Sequence, residues 1–249
     1  GTGVVSLPYH HPFNVAQRIV QLDHMTRGRA MFGSGPGALP SDARTMGISP
    51  MLLRDRQDEA MGVIIRLLNG EERFSHDSDW FTLHEAALQI LPIQERMPMA
   101  TASSISPSGM QLAGKYGTGV LSIASTSVEG LQALPTQWGF AEEAAAAHGT
   151  TVDRADWRVL MSWHIAETKE QAMRDVEYGI EHWFDYLQKT AAAPQFCPEG
   201  DTLQAGPMHY LRDGYGSPGL AKAFALIAGI GALTTTPFTQ PNSIAIVFD

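Results

Sequence analysis

The chain has 249 residues, 44% of them hydrophobic and 17% charged, a balance that builds a packed core and excludes a disordered chain, whose mark is low hydrophobicity with high net charge. Its formal charge of -9, from 26 acidic and 17 basic residues, comes without any long Lys/Arg cluster, so nucleic acid and anionic membrane surfaces are excluded as partners. Cys197 stands alone, which rules out an intrachain disulfide framework or a cysteine zinc site and suits a reducing compartment, the cytoplasm.

No apolar run reaches the roughly 18 residues that a spanning helix needs, and the first residues lack the charged-then-apolar pattern of a signal peptide. The chain opens at Gly1 without Met, already inside the extended apolar segment Val4-Val5-Ser6-Leu7, so its natural beginning is expected upstream. After this strand, Pro12 suits a first helical turn, and Val15, Ile19 and Leu22 form one apolar stripe to about Met25. A second strand is predicted over Ala30 to Ser34, and a helix over Arg54 to Asn69, closed by Gly70.

From Phe74 to Pro92 aromatic and polar residues alternate around Asp77-Ser78-Asp79, which predicts a hairpin-like insertion placed over a pocket mouth. Met97 to Ile105 reads as a strand, Met110 to about Gly117 as a helix, and Gly119 to Ala124 as the next strand. Ser127 opens a helix expected to break at Pro135 and resume through Ala144 to His148. Trp157 to Ile165 is predicted as one further strand, and Thr168 with Gln171 as a capping box for a long helix carrying Ala172, Val176, Ile180, Trp183 and Leu187 in register. Beyond about Leu203 charges almost vanish and Gly, Ala, Thr and Pro dominate; a helix over Leu220 to Ile230 and a strand over Ser243 to Phe248 are the only elements suggested there.

Strands alternating with helices in this way give an α/β fold with a parallel sheet, and the regular crossovers leave a barrel of eight strand-helix units or an open wound sheet, the barrel being favoured. In a barrel, ligands bind at the carboxyl ends of the strands. Two corners of the sequence belong there. Gly33-Ser34-Gly35-Pro36-Gly37-Ala38 leaves almost bare backbone behind a strand, which suits either a plain turn or close contact with a flat or phosphorylated ligand. Ser103, Ser104, Ser106 and Ser108 with Gly109 precede a helix, whose free amides and positive dipole end suit a phosphate, although one serine as a helix cap, worth about 1 kcal/mol, is also consistent.

The histidines His10, His11, His76, His84, His164 and His182 lack metal-ligand spacing, so structural or exposed roles and no metal are expected. Arg56, Asp58 and Glu59 read as helix-start pairing, and Asp153, Arg154 and Asp156 likewise. No nucleophile elbow, Walker loop or acid-base carboxylate pair occurs, so no catalytic residue is assigned. A cradle with few proton-transfer groups points to chemistry carried by a cofactor.

Leu7-Pro8-Tyr9-His10-His11-Pro12, Leu22-Asp23-His24-Met25 with Gly28-Arg29, and Phe32-Gly33 to Gly37, then Asp42 with Met46-Gly47, Ala102-Ser103-Ser104, Ala113 to Gly117, Leu121-Ser122-Ile123, Glu181-His182-Trp183 and Asp185-Tyr186, occur in this order at spacings that resemble the bacterial luciferase-like flavin monooxygenases, and within them the limonene 1,2-monooxygenase-like branch. The resemblance implies a (β/α)8 barrel that binds reduced FMN, supplied by a separate flavin reductase, and lets oxygen add at the flavin C4a to oxidise a small hydrophobic substrate such as a terpene. It implies a non-proline cis peptide at Thr2 and Gly3 beneath the flavin ring, Gly35, Pro36, Gly37 and Ala38 flanking the cofactor, Ser103, Ser104, Ser108 and Gly109 on its phosphate, and Ser122 near the ring. Pro36 stands where some relatives carry a phosphate-binding arginine. The same superfamily contains deazaflavin-dependent dehydrogenases and reductases, the alternative activity; a non-catalytic partner barrel is a third, and a homo-oligomer is compatible with each. The family's first two strands precede the matching region, so a partial barrel over residues 1–203 and an atypical tail over 204–249 are expected. Exposed sheet edges would then lower the stability and activity of the isolated chain.

Overall fold

The computed structural model describes residues 1–123, 128–160, 163–191 and 245–246. It divides into two compact units, Gly1–Ser122 with Thr136–Arg158, and Ile123–Pro135 with Val159–Asp249. In the first unit, β1 (Val5–Ser6), α1 (Pro12–Met25), β2 (Phe32–Gly35), α2 (Pro40–Thr45) and α3 (Leu53–Leu68) are followed by the antiparallel hairpin of β3 (Phe74–Asp77) and β4 (Thr82–Ala86). Then come β5 (Met99–Ser103), α4 (Ser108–Tyr116), β6 (Gly119–Ser122), α5 (Val128–His148), whose second half belongs to this unit, and β7 (Trp157–Val159).

The sheet order is β1-β2-β5-β6-β7, and β1, β2, β5 and β6 are parallel. Apart from the hairpin, which forms its own sheet, the spatial order follows the chain without reversal. An open doubly wound sheet needs a reversal point, whereas a barrel wall does not. Side chains confirm this. Phe32 of β2 packs with Val15, Ile19 and Val20 of α1 and with Met61, Ile64 and Leu67 of α3, and Val120 of β6 packs with Met110 and Ala113 of α4 and with Trp138 and Ala141 of α5. By strand alternation Gly33, Gly35, Ala102 and Leu121 lie on the opposite face. Helices thus cover one face, as they do outside a barrel wall, and Gly33, Gly35, Ala102 and Leu121 line the other.

Asp23, fully buried near the end of α1, ties the amino-terminal end of the sheet together. Its carboxylate accepts from the amides of Ala30 at 3.3 Å, Ile93 at 2.7 Å and Gln94 at 3.3 Å, and from Gln94 Nε2 at 2.7 Å. Burial alone would raise this carboxyl, but the hydrogen bonds from Gln94, Ile93 and Ala30 outweigh it and hold it below its ordinary range.

Two expectations need correction. Pro135 does not break the chain of helical residues but lies inside α5; packing of Trp138 and Ala141 against α4 and β6 holds the half that follows, against a cost of roughly 3 kcal/mol for an interior proline. The strand expected over Trp157 to Ile165 is two short ones, because Val159 and Leu160 are exposed and the run lacks the two-sided burial that its apolar character suggested: β7 ends at Val159, and β8 (His164–Ile165) pairs in parallel with β9 (Ala245–Ile246) in the second unit. There α6 (Lys169–Ala191) starts with the Gln171 amide donating to Thr168 Oγ1 at 3.1 Å, half of the expected capping box. The helix expected over Leu220 to Ile230 and the boundary near Leu203 lie outside the described residues.

Candidate functional site

All the candidate cofactor-binding residues fall in the first unit, and both corners emerge at the carboxyl ends of neighbouring parallel strands. Ser34 pairs with Thr101 and Ser103 with Ser122, so the loops after β2 and β5 start at one level of the sheet.

At the β2 corner the space beside each glycine is taken by the chain itself. A side chain on Gly33 would meet the Thr2 carbonyl oxygen and, at 3.0 Å, Val4; one on Gly35 would meet Val4 at 2.7 Å; one on Gly37 would meet the Tyr9 ring at 2.6 Å. Gly37 also sits at φ +81°, a conformation that favours glycine. Thr2 Oγ1 donates to the Gly33 carbonyl at 3.0 Å and accepts from the Gly33 amide at 2.9 Å, while the Thr2 amide donates to the Met31 carbonyl. With Thr2 held in this ladder, the non-proline cis peptide joins Gly3 to Val4, one bond beyond the expected Thr2–Gly3 pair. Pro36 is half-buried and Ala38 exposed.

The β5 corner is built differently. α4 starts without a side-chain cap: Pro107 occupies the capping position, and neither Ser106 nor Ser108 takes that role. Those two hydroxyls instead lie 3.0 Å apart. Gln137, buried on α5, anchors the loop from behind, its Nε2 donating to the carbonyls of Ser104 and, at 3.0 Å, Ile105. Gly109 packs against the Ala102 carbonyl and the Ser103 backbone, where a Cβ would lie 2.8 Å from Ser103 Cα, so α4 lies directly on β5. Ser103 and Ser122 share the helix-facing side of their strands with Thr101 and Val120; Ser122 Oγ is shut from solvent without a partner, and Leu121 is the β6 residue on the opposite face.

One residue here had no sequence signal. Arg54, exposed at the start of α3, directs Nη2 toward Ser106 Oγ at 3.4 Å, bringing a guanidinium to a corner whose neighbouring loop has Pro36. Fifty-two positions separate Arg54 from Ser106, and the packing of α3 beside α4 joins them. The donor set of uncapped amides, serine hydroxyls and guanidinium fits a phosphate monoester.

Several of the other candidates bind one another or the backbone. His11 accepts from the Phe13 amide and so caps α1. Glu59 accepts from Trp80 Nε1 at 2.6 Å and Ser78 Oγ at 2.9 Å, and lies 2.9 Å from His76 Nε2. These contacts hold the hairpin tip on α3, while Phe81, Leu83 and Ala86 bury in the core beneath. The insertion is thus seen packed on α1 and α3. Asp58 pairs with Lys115 at 2.7 Å and accepts from Tyr116 Oη at 2.7 Å; the Tyr116 phenol is pushed well above its ordinary range by burial and by Asp58. An open cleft of about 850 Å³ beside α3 is lined by Asp58, Glu59, His76, Lys115 and Tyr116, whose polar groups thus pair mainly with one another. In the second unit, His164 Nε2 meets Asp175 at 2.9 Å. Among the described residues no three His, Cys, Asp or Glu side chains gather as a metal site.

The luciferase-like monooxygenase family model matches residues 1–235. The chain belongs to the luciferase-like monooxygenase family. Limonene 1,2-monooxygenase of Rhodococcus erythropolis is 48% identical over 206 residues, covering 83% of this chain and 53% of that protein; the chain therefore spans about half the length of this family member. The oxygenating constituent of 3,6-diketocamphane monooxygenase from Pseudomonas putida, a type II Baeyer-Villiger monooxygenase solved with FMN, superposes with a TM-score of 0.59 at 26% identity, over 72% of this chain and 52% of that one. An F420-dependent secondary alcohol dehydrogenase solved with an F420-acetone adduct gives a TM-score of 0.56 at 22% identity, over 80% of this chain and 57% of that one, and so shares the family's barrel fold. Among the described residues no helix is long and apolar enough to cross a membrane.

Proposed function

We propose that this chain forms the cofactor-phosphate side of a flavin-dependent monooxygenase, which takes reduced FMN from a separate reductase in the cytoplasm and oxidises a small hydrophobic molecule such as a terpene with dioxygen. The observation that carries the reading is the meeting of two corners at the carboxyl ends of adjacent strands, one of them an uncapped helix start with serine hydroxyls and the Arg54 guanidinium. On this reading the amides at the start of α4, the hydroxyls of Ser104, Ser106 and Ser108, and Arg54 hold the phosphate. Gly35, Pro36, Gly37 and Ala38 flank the cofactor, and Ala102 and Leu121 give the opposite face an apolar lining that excludes water from the reacting end. Bound reduced flavin supplies the electrons and the activation of dioxygen that this chain's side chains lack. The Rhodococcus relative supports a terpene-like substrate and the Pseudomonas neighbour supports FMN.

A deazaflavin-dependent dehydrogenase is the second reading, favoured by the fold shared with the F420-dependent neighbour. Titration with FMN, riboflavin and F420 separates the cofactors: FMN is expected to bind at least tenfold tighter than riboflavin, through its phosphate. Incorporation of isotopically labelled dioxygen into limonene in the presence of reduced FMN then separates the reactions, since free reduced FMN consumes oxygen by itself but a dehydrogenase places none of it in the substrate. Binding of none of the three would overturn the flavin reading in favour of a non-catalytic barrel.

A further inference from the structure

Tyr9 ends the short 3-10 turn that follows β1, at the same carboxyl end as the two corners. Its ring lies under Gly37, and its hydroxyl is closed off from solvent without any hydrogen-bond partner. A buried hydroxyl left unpaired costs stability, so this chain retains a polar atom that weakens its own ligand-free fold. A phenylalanine would fill the same space without that cost. Burial and, secondarily, the Asp42 carboxylate raise the phenol's pKa, which keeps it protonated and therefore a donor at neutral pH.

Position narrows what it could donate to. The seal over the hydroxyl is Gly37, part of the corner assigned above to the cofactor, so a ligand seated at that corner meets the phenol when the loop adjusts. Tyr9 follows β1 and the serine corner follows β5, with β2 between them. Two strand spacings amount to about 10 Å, comparable with the ribityl arm that separates a flavin's phosphate from its ring. Resting on the flavin reading, we propose that Tyr9 is a positioning residue whose hydroxyl donates a hydrogen bond to the ring portion of the bound flavin, with Gly37 as the seal that keeps it dry until the ligand arrives.

The test is Tyr9→Phe, read by thermal melting without ligand and by fluorescence titration with oxidised FMN and with riboflavin. The expected pattern has opposite signs: an unchanged or higher melting temperature in the ligand-free chain, together with roughly tenfold weaker binding of both flavins and loss of any shift in the bound flavin's absorption bands. Unchanged affinity for both flavins would overturn the proposal, and so would a loss confined to FMN, which would put the phenol on the phosphate. A fall in melting temperature with affinity per folded molecule preserved would make Tyr9 purely structural. Failure of the unmutated chain to bind either flavin would instead sink the flavin reading itself, and this inference with it.

Discussion

The two corners look alike as sequence, each a strand end rich in glycine or serine, yet they spend their small residues differently. After β2, the room beside Gly33, Gly35 and Gly37 is filled by Thr2, Val4 and Tyr9 of the same chain, so these glycines serve to bring β1 and its turn against β2. After β5, Gly109 brings α4 onto the strand, but the serine hydroxyls and the first amides of the helix remain unspent by capping. Small residues therefore report close approach without saying what approaches; a glycine that admits a ligand and one that admits a neighbouring strand are identical in sequence.

The largest effect that sharpens this contrast is Gly33→Ala. Its methyl would press on a backbone oxygen and on Val4, and about 3 kcal/mol of stability is expected to be lost, seen as a lower denaturation midpoint with FMN affinity per folded molecule retained. Gly109→Ala should cost about 2 kcal/mol and, unlike Gly33→Ala, should also weaken FMN binding, because it lifts the start of α4 off β5. If both variants lower stability alone, the start of α4 takes no part in holding FMN. Arg54→Gln is a smaller change, because the side chain is exposed: a three- to tenfold loss of FMN affinity, about 1 kcal/mol, with riboflavin unaffected and the difference shrinking as salt rises.

The smallest expected effect lies outside both corners and serves as their control. Burial would raise the Glu59 carboxyl, but hydrogen bonds from His76, Trp80 and Ser78 hold it below its ordinary value of 4.5. A carboxylate with a depressed folded pKa stabilises fully above its unfolded value and loses that contribution as pH falls through the folded one. Glu59→Gln should therefore flatten the fall in melting temperature on the acid side of about pH 4.5 while leaving flavin affinity at neutral pH unchanged.

The order of strands and helices in the first unit was legible because each element carries its own local cause: the stripe from Val15 to Leu22, the Pro12 start, the glycine stop after α3 and the alternation through the hairpin all act within a few residues. Pro135 and the run from Trp157 to Ile165 were misread for the complementary reason. Whether an interior proline breaks a helix, or an apolar run stays one strand, is decided by what packs against it, and those partners lie elsewhere in the chain. Tyr9 lies within a family-like stretch, and nothing near it in sequence marks its hydroxyl as unpaired.

By itself, the sequence determined the kind of each element, their alternation and the presence of two small-residue corners, since backbone sterics and hydrophobic period are local properties. Only the tertiary structure decided that helices cover a single face of the sheet, that Arg54 reaches Ser106 from 52 residues away, and that Val4 and Tyr9 fill the glycine spaces. Those outcomes depend on which distant atoms compete for the same volume, and no spacing along a chain encodes that competition.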